Sequence, residues 1–261
     1  MLNTSNILTQ SSNRGIFRIK LNEPDTYNAL SFKTISFLIG ILKKLNEDKN
    51  TKVIIIEGLG KGFCAGHDLK EVKSLKGKPK YKKLFDQCSR LMINIVNSDK
   101  PIIAKVHGAA FAAGCQLVAS CDLALSSNEA IFATPGVNIG LFCSTPMVAV
   151  SRNVVRKKTM KMLLTGEPIT AQYAKEIGLI NDHFDKSKLE EEVMRLAEKI
   201  ASKSNKVVKI GKKAFYKQLE MPLEKAYKYT SKIMSENMMM HDAKEGISAF
   251  LEKRNPNWKN K

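Results

Sequence analysis

The chain has 261 residues, of which 43% are hydrophobic, enough to bury one large core. No apolar run approaches the roughly 18 residues of a membrane span, and the N-terminus lacks the basic and apolar segments of a secretory signal. We therefore expect a protein of the cytoplasm, or of the mitochondrial matrix if the source is eukaryotic.

The formal net charge is +18, from 43 Lys and Arg against 25 Asp and Glu. Such an excess can signal a polyanionic partner. Lysine supplies most of it, and no lysine run alternates with aromatic residues as in a platform that stacks bases. We therefore disfavour nucleic acid as the partner, keep RNA binding as a weak alternative, and expect a small phosphate-bearing ligand.

Cysteine usage argues against a disulfide framework and a structural zinc site, because the five cysteines are odd in number and form no CxxC pair. We expect them to be small buried hydrophobic residues.

The first half of the chain predicts alternating strands and helices. Ser31 is a suitable N-cap for the first helix, and the continuously apolar run at 53–57 is typical of a strand covered on both faces. The predicted strands are 7–10, 16–21, 53–57, 102–106, 122–125 and 131–133, and the predicted helices are 32–46, 82–97 and one that starts at Ala113.

From Thr145 onward the sequence predicts almost wholly helical structure. Apolar residues between Leu189 and Ile200 recur at helical spacing. Further helices are predicted at 206–220, 223–238 and 242–253. This pattern divides the chain into a core over residues 1–200 and a C-terminal helical segment over residues 201–261.

Two segments, 61–71 and 108–116, combine a preceding strand, a turn of small residues and a helix start. Backbone N–H groups are exposed at such a start, where the helix dipole favours negative charge. Two of them converging on one point would stabilise an oxyanion. Gln116 is a polar side chain in this tightly packed surrounding, where a carboxylate would have predicted a general acid or base.

These segments resemble the signatures of a known family. Gly62–Glu71 resembles the first signature of the enoyl-CoA hydratase/isomerase (crotonase) superfamily, and Ala112–Asp122 resembles the second. Ala112–Asp122 and Phe132–Pro146 are especially similar to one group within it. The resemblance covers nearly the whole chain and continues through 132–136, 164–169 and 250–254.

The resemblance implies an α/β crotonase (ClpP-like) spiral of repeated ββα units with a C-terminal helical trimerisation segment. It also implies a homotrimer or dimer of trimers that binds an acyl-CoA thioester. No metal is implied, and no cofactor other than coenzyme A as part of the substrate.

The same resemblance assigns roles to residues. The thioester oxygen would be held by the backbone N–H groups of His67 and Ala113, and the two usual hydratase glutamates fall at Gln116 and Gly136. Phe250 and Lys253 would reach the CoA of a neighbouring subunit. The residues expected to contact substrate or CoA are Asn28, Ala29, Cys64, Ala65, Gly66, Asp68, Leu69, Lys70, Gly114, Pro135, Cys143, Phe250 and Lys253.

The departure from the family pattern limits the chemistry. Gln116 can orient a water molecule but cannot take its proton, and Gly136 has no side chain. Each lost acid or base costs typically 10²–10⁴-fold, so losing both should cost roughly 10⁴–10⁸. We expect Gly136 to widen the acyl pocket. Decarboxylation or thioester cleavage needs little more than enolate or oxyanion stabilisation, and the alternative is a non-catalytic acyl-CoA-binding or regulatory protein.

Other side chains can be weighed as replacements for the glutamates. The His67 imidazole suits proton transfer, although a ring that points elsewhere is the favoured interpretation. Asp68 is a base or, preferably, a helix cap. His107 is better interpreted as a satisfied histidine, and Cys143 lacks an evident base. Ser144 and Thr145 either face the acyl group or cap the next helix.

Overall fold

The computed structural model describes residues 4–12 and 14–260. The sequence also predicts a turn at 11–15 between the first two strands, and its residue Asn13 lies outside this range. The strands are β1 (Ile7–Ser11), β2 (Ile16–Leu21), β3 (Val53–Gly58), β4 (Ile102–Val106), β5 (Ala109–Phe111), β6 (Leu123–Ser127), β7 (Ile131–Ala133), β8 (Ile169–Thr170) and β9 (Asp182–Phe184).

Helices cover most of the remaining chain, with 3₁₀ turns at Pro24–Thr26 and Pro135–Ile139. The helices are α1 (Phe32–Glu47), α2 (Leu69–Ser74), α3 (Lys78–Val96), α4 (Ala113–Ser120), α5 (Pro146–Val150), α6 (Arg156–Thr165), α7 (Ala171–Glu176), α8 (Lys186–Ala201), α9 (Asn205–Leu219), α10 (Leu223–Met238) and α11 (His241–Leu251).

The strands form two sheets. The larger has the order β1-β2-β3-β4-β6-β9, antiparallel between β1 and β2 and parallel elsewhere. The smaller has the order β5-β7-β8. Every residue of β3 is buried, as its apolar run predicts for a strand covered on both faces.

The chain alternates between the two sheets in a repeating unit. β4 of the large sheet leads to β5 of the small sheet and then to α4; β6 leads to β7 and then to the helices after it. Single bridges continue the small layer, pairing Leu30 with His67 and Cys64 with Ala110. Each turn is thus a long strand, a short strand or bridge, and a helix, so the predicted ββα repeat is present.

Two helix layers cover the large sheet. The face that carries Ile54 and Ile56 packs against α1 and α3 in the main core. The opposite face, with Ile55 and Ile103, packs against Leu189 and Val193 of α8. The amphipathic pattern predicted for α8 is therefore the pattern of a helix lying on the sheet.

One sequence prediction needs correction. Helix α3 begins at Lys78 instead of residue 82, because Gly77 takes a left-handed φ of +83° as its N-cap and Pro79 suits the first turn. The region after Thr145 is almost wholly helical, as predicted, and its two short strands β8 and β9 extend the edges of the two sheets. Among the described residues, no helix is both long and apolar enough to cross a membrane.

Candidate active site

Two glycines let the predicted loops pack against each other. A Cβ at Gly114 would lie 2.8 Å from the Cys64 carbonyl carbon and 2.9 Å from its Cβ. A Cβ at Gly66, where φ is +99°, would lie 3.0 Å from the Ala112 Cβ and 3.2 Å from the Ala113 nitrogen. Only glycine permits both approaches, and the result is that residue 66 abuts the first turn of α4.

Backbone hydrogen bonds hold the loops in this arrangement. Cys64 N–H donates to the Ala109 carbonyl at 3.0 Å, and Phe111 N–H donates to the Cys64 carbonyl at 2.9 Å. On the far side, Ala112 N–H donates to the Ala133 carbonyl at 2.9 Å. The segment from Cys64 to Gly66 is therefore tied to β5, and β5 to β7.

The N–H groups of His67 and Ala113 stand next to this junction. Ala113 is the first residue of α4, and neither N–H donates to a backbone carbonyl within the described part of the chain. The preceding Ala112 has φ 48° and ψ −115°, a conformation that costs an L-residue on the order of 1–3 kcal/mol. The surrounding packing thus maintains a strained turn that presents the first N–H groups of α4.

Gln116 is the fourth residue of the same helix, and 3% of its surface is exposed. Its Nε2 donates to the Thr145 carbonyl at 3.1 Å, and its Oε1 is 3.9 Å from the Cys88 thiol. Burial raises the pKa of Cys88 to about 12, so the thiol keeps its proton and can donate. The surroundings of position 116 therefore suit a carboxamide. A carboxylate there would place a negatively charged oxygen against the Thr145 carbonyl oxygen, with no N–H to donate.

Gly136 is buried in the 3₁₀ turn that follows β7. A Cβ here would lie 2.6 Å from the Leu141 carbonyl oxygen and 3.0 Å from the Cys143 sulfur. The expectation that Gly136 widens the acyl pocket is wrong, because the chain itself fills that space. A glutamate could enter only if the loop from 136 to 143 moved.

The His67 imidazole lies beside α3. Its ring meets Phe85 edge to face, with centroids 5.4 Å apart. Both ring nitrogens are buried, and neither forms a hydrogen bond within the described part of the chain. Burial lowers the pKa of the imidazole; the Leu30 backbone opposes this but lies outside hydrogen-bond geometry. The ring is therefore neutral near pH 7.

The segment after His67 faces outward. Asp68 Oδ1 accepts from the N–H groups of Lys70 at 2.8 Å and Glu71 at 3.2 Å, so it caps α2 as predicted and is not free to act as a base. Leu69 is 56% exposed and Lys70 is also exposed. Both remain available to a ligand on this surface.

Asn28 requires a correction. Its side chain is 1% exposed; Nδ2 donates to the carbonyls of Leu59 and Gly62, and Oδ1 accepts from Glu23 N–H, all at 2.9 Å. The side chain is therefore not available to contact CoA as predicted, because it braces the loop that follows β3. The neighbouring Ala29 is also buried, with 9% of its surface exposed.

The other proposed replacements for the glutamates have ordinary surroundings. His107 Nε2 pairs with the Gly60 carbonyl at 2.9 Å, as expected for a satisfied histidine. Burial raises the pKa of Cys143, which disfavours a nucleophilic thiolate. Thr145 is the N-cap of α5 by position, but its side chain forms no capping bond, and Ser144 Oγ contacts the Phe142 carbonyl at 3.4 Å.

Phe250 and Lys253 belong to the far C-terminal end of the chain. Phe250 is 83% exposed and lines a cavity of about 540 Å³ with residues of α9, α11 and Trp258. None of the lining residues comes from the two loops around His67 and Ala113. Within one chain these side chains are not part of the site, and their contact with a neighbour's ligand stays a prediction.

Three groups at the site were not found from the sequence: Phe85, Cys88 and the Thr145 carbonyl. Phe85 and Cys88 lie in a helix with an ordinary amphipathic pattern, and a backbone carbonyl leaves no sequence signal. The packing of α3 on α4 brings Phe85 and Cys88 to the loops, and the packing of α5 on α4 brings the Thr145 carbonyl.

The match to a family profile decides what kind of protein carries this geometry. The profile described as Enoyl-CoA hydratase/isomerase matches residues 11–261. The chain belongs to the enoyl-CoA hydratase/isomerase family. The predicted resemblance is therefore confirmed, as is the crotonase fold.

Relatives within the enoyl-CoA hydratase/isomerase family include the group expected from 112–122 and 132–146. The mitochondrial enoyl-CoA hydratase domain-containing protein 3 of Homo sapiens is 49% identical over 244 residues, covering 94% of this chain and 80% of that protein. The mitochondrial enoyl-CoA hydratase of Pongo abelii is 34% identical, covering 96% and 86%.

Solved structures of the family superpose closely. The crystal structure of human enoyl-CoA hydratase domain-containing protein 3 has a TM-score of 0.94 at 47% identity and covers 97% of this chain and all of that one. An enoyl-CoA hydratase from Mycobacterium smegmatis has a TM-score of 0.95 at 45% identity, covering 97% and 98%.

Proposed function

We propose that this protein binds an acyl-CoA thioester and stabilises negative charge on the thioester oxygen with the N–H groups of His67 and Ala113. The observation that carries the proposal is the close approach of Gly66 to the Ala113 nitrogen. Ala113 N–H lies at the start of α4 and His67 N–H in the adjoining loop; neither donates to a backbone carbonyl inside the described chain, which suits a developing oxyanion. Lys70, exposed beyond the Asp68 cap, suits a CoA phosphate.

The proposed chemistry depends on the oxyanion site and not on a pair of glutamates. Gln116 donates to Thr145 and can position a water molecule or substrate group, but it cannot accept a proton from water. We expect enolate or oxyanion reactions of fatty-acid or related acyl-CoA metabolism in place of efficient hydration. The absence of carboxylates at 116 and 136 also supports the alternative of an acyl-CoA-binding or regulatory protein without turnover.

A homotrimer or dimer of trimers is part of the proposal. Helices α9 and α10 bury almost none of their residues against their own chain. The large exposed apolar side chains of α9 to α11 are Phe215, Leu219, Leu223, Tyr227, Met234, Met238, Ile247, Phe250 and Leu251. Large apolar patches on a surface mark places where proteins associate.

Because its relatives are named mitochondrial, the proposed location in a eukaryote is the mitochondrial matrix.

The oxyanion site can be tested with two ligands that differ by one oxygen. Butyryl-CoA has the thioester carbonyl, whereas S-butyl-CoA, a thioether, lacks it. We expect butyryl-CoA to bind about tenfold more tightly by isothermal titration calorimetry, because two N–H groups then bond the oxygen. Equal affinity would refute the oxyanion role, and failure of both to bind would refute the acyl-CoA site.

The matched variants are Gly66→Ala and Gly77→Ala. Both replace a glycine of positive φ, but the Cβ at 66 meets three atoms within 3.2 Å whereas the Cβ at 77 is 3.7 Å from its nearest neighbour. Gly66→Ala should remove the preference for the thioester, and Gly77→Ala should keep it. Turnover of crotonyl-CoA by the natural chain should be lower by roughly 10⁴ or more than in a family member with both glutamates.

A further inference from the structure

A dense group of lysines lies on the surface that follows the first of the two loops. It occupies α2, the turn after it and the start of α3, and all of its members are exposed. Within the described residues none of them forms an ion pair, whereas Lys82 in the same stretch pairs with Asp86. We call this group the lysine patch, and its members are Lys70, Lys73, Lys76, Lys78 and Lys80.

The acidic residues nearest in sequence are engaged elsewhere. Asp68 caps α2, and Glu71 Oε2 accepts from Phe32 N–H at 2.8 Å. Val72 and Leu75 pack against the main core, which turns the lysines of α2 toward solvent. The patch therefore presents its positive charge outward.

The start of α3 is an unfavourable place for such charge. Lys78 is the first residue of the helix and Lys80 the third, the first turn contains no acidic residue, and the N-cap Gly77 makes no side-chain bond. The positive end of a helix dipole disfavours cations in its first turn. A negatively charged partner would offset this repulsion, so the local conflict indicates a surface with a binding role.

The composition of the patch favours one class of anionic partner. It contains no arginine, and the aromatic residue that follows it, Tyr81, is half-buried and donates to the Leu75 carbonyl at 2.9 Å. Protein interfaces are enriched in arginine and aromatic residues and depleted in lysine, and single-stranded nucleic acids bind where aromatic rings stack on bases. Clustered lysines beside an exposed apolar residue, here Leu69 at 56% exposure, suit adsorption to anionic lipid headgroups.

We infer that the lysine patch docks this protein onto the surface of a membrane that carries anionic phospholipids. The contact is peripheral, with the ammonium groups among the lipid phosphates and Leu69 at the level of the headgroups. The patch begins three residues after His67, so the docked membrane lies beside the two loops. The inference does not depend on the thioester chemistry proposed for those loops.

The experiment measures co-sedimentation with vesicles of phosphatidylcholine alone and of equal parts phosphatidylcholine and phosphatidylglycerol. We expect the natural protein to bind only the anionic vesicles, and to bind them less as salt rises from about 50 to about 300 mM, because salt screens exposed charges. In the variant that combines Lys73→Gln, Lys76→Gln and Lys80→Gln, the partition coefficient should fall by about 100-fold, since each lysine near an anionic surface contributes about fivefold.

The matched control removes three exposed lysines near the other end of α1, by Lys43→Gln, Lys44→Gln and Lys49→Gln. Each triple variant changes the formal net charge from +18 to +15, so only the position of the lost charges differs. Lys43 and Lys44 lie roughly 17 Å along the helix from Phe32, which contacts Glu71 beside the patch. The control variant should bind like the natural protein.

Three results would overturn the inference: no binding to anionic vesicles, equal binding to neutral vesicles, or equal losses in the two triple variants. Poly-glutamate and poly-uridylate at the same charge concentration should bind less tightly than the vesicles. If either bound more tightly, the partner would be an acidic chain or a nucleic acid and the assignment to lipid would be wrong.

A stability measurement separates docking from a structural role. The urea midpoint of the patch variant should not fall, because the described chain gives the ammonium groups of Lys73, Lys76 and Lys80 no hydrogen-bond partner. A fall would show that these lysines stabilise the fold and would contradict the inference. Binding of butyryl-CoA is measured separately, so its failure would bear only on the proposed function.

Discussion

The loops of the site and the C-terminal helices are stabilised in different ways. Around Gly66 and Gly114 the backbone packs on backbone, and the useful groups are N–H donors. Helix α9 has no fully buried residue and is attached to the core through polar side chains. The loops are held together by contacts within one chain, whereas the C-terminal helices expose many large apolar side chains.

The polar attachment of α9 centres on Lys212. Its ammonium donates to Asp122 Oδ2 at 2.7 Å and to the carbonyls of Ile95 and Lys100 at 3.1 and 3.0 Å. Tyr216 donates to Asp122 Oδ1 at 2.9 Å. Burial lowers the pKa of Lys212, and the nearby Asp122 opposes that effect. Since Asp122 also accepts from Ile102 N–H, one carboxylate joins β4 to the C-terminal segment.

The contrast between the site loops and helix α9 can be tested by making the same substitution, glycine to alanine, in each region. In Gly114→Ala the new Cβ meets the Cys64 backbone, which cannot yield without moving the loop. We expect the free energy of unfolding to fall by at least about 3 kcal/mol. In Gly211→Ala, within α9, nothing lies within 4 Å of the new Cβ, and stability should rise by about 0.5–1 kcal/mol. Urea unfolding measures both changes in the free energy of unfolding. Changes of the same sign at the two sites would contradict the contrast.

The next largest effect tests the attachment of α9. Lys212→Met removes the ammonium that donates to Asp122 and to the carbonyls of Ile95 and Lys100, and should lower stability by about 2 kcal/mol. Hydrogen exchange should accelerate in α9 and not in β3. The control is Lys213→Met, whose half-exposed ammonium pairs with Asp99 and should matter by less than about 1 kcal/mol. Equal effects of the two variants would show that the buried contact is not what holds the helix.

The smallest expected effect concerns the junction of α8 with the sheet. Hydrogen bonds from Arg18 lower the pKa of Glu190 from 4.5 to about 2, and Lys105 adds to the shift. A depressed carboxyl pKa stabilises the folded state above pH 4.5, and this contribution disappears as the pH falls toward 2. Because the Glu190 side chain is 47% exposed, solvent screening reduces the contribution to about 1 kcal/mol.

The measurement is the urea midpoint as a function of pH. Glu190→Gln should lose stability at pH 7 and resemble the natural protein near pH 2, whereas the exposed Glu191→Gln should follow the natural protein throughout. A pH-independent difference between the natural protein and Glu190→Gln would exclude the ionic explanation.

Local signals predicted much of this molecule. Ser31 does cap α1 by accepting from Thr34 N–H, Asp68 does cap α2, and the apolar run at 53–57 lies in a buried strand. Each of these outcomes depends on neighbours within a few residues, so that the sequence alone suffices. The first signature and the second also identified the two loops that meet at the site.

Other features required the folded chain. The bracing role of Asn28, the filled space at Gly136 and the carboxamide environment of Gln116 all depend on groups distant in sequence. The division at residue 200 and the contacts of Phe250 with another subunit stay predictions.

The sequence by itself determined the family, the order of elements and the lack of carboxylates at 116 and 136, because these follow from residue identities and short-range patterns. The tertiary structure decided what those identities mean. It placed Gly66 and Gly114 where only a hydrogen atom fits, and it turned the Thr145 carbonyl toward position 116. It also buried both nitrogens of the His67 ring without a hydrogen-bond partner among the described residues. Such facts depend on which atoms approach within a few ångströms, and residue order does not record them.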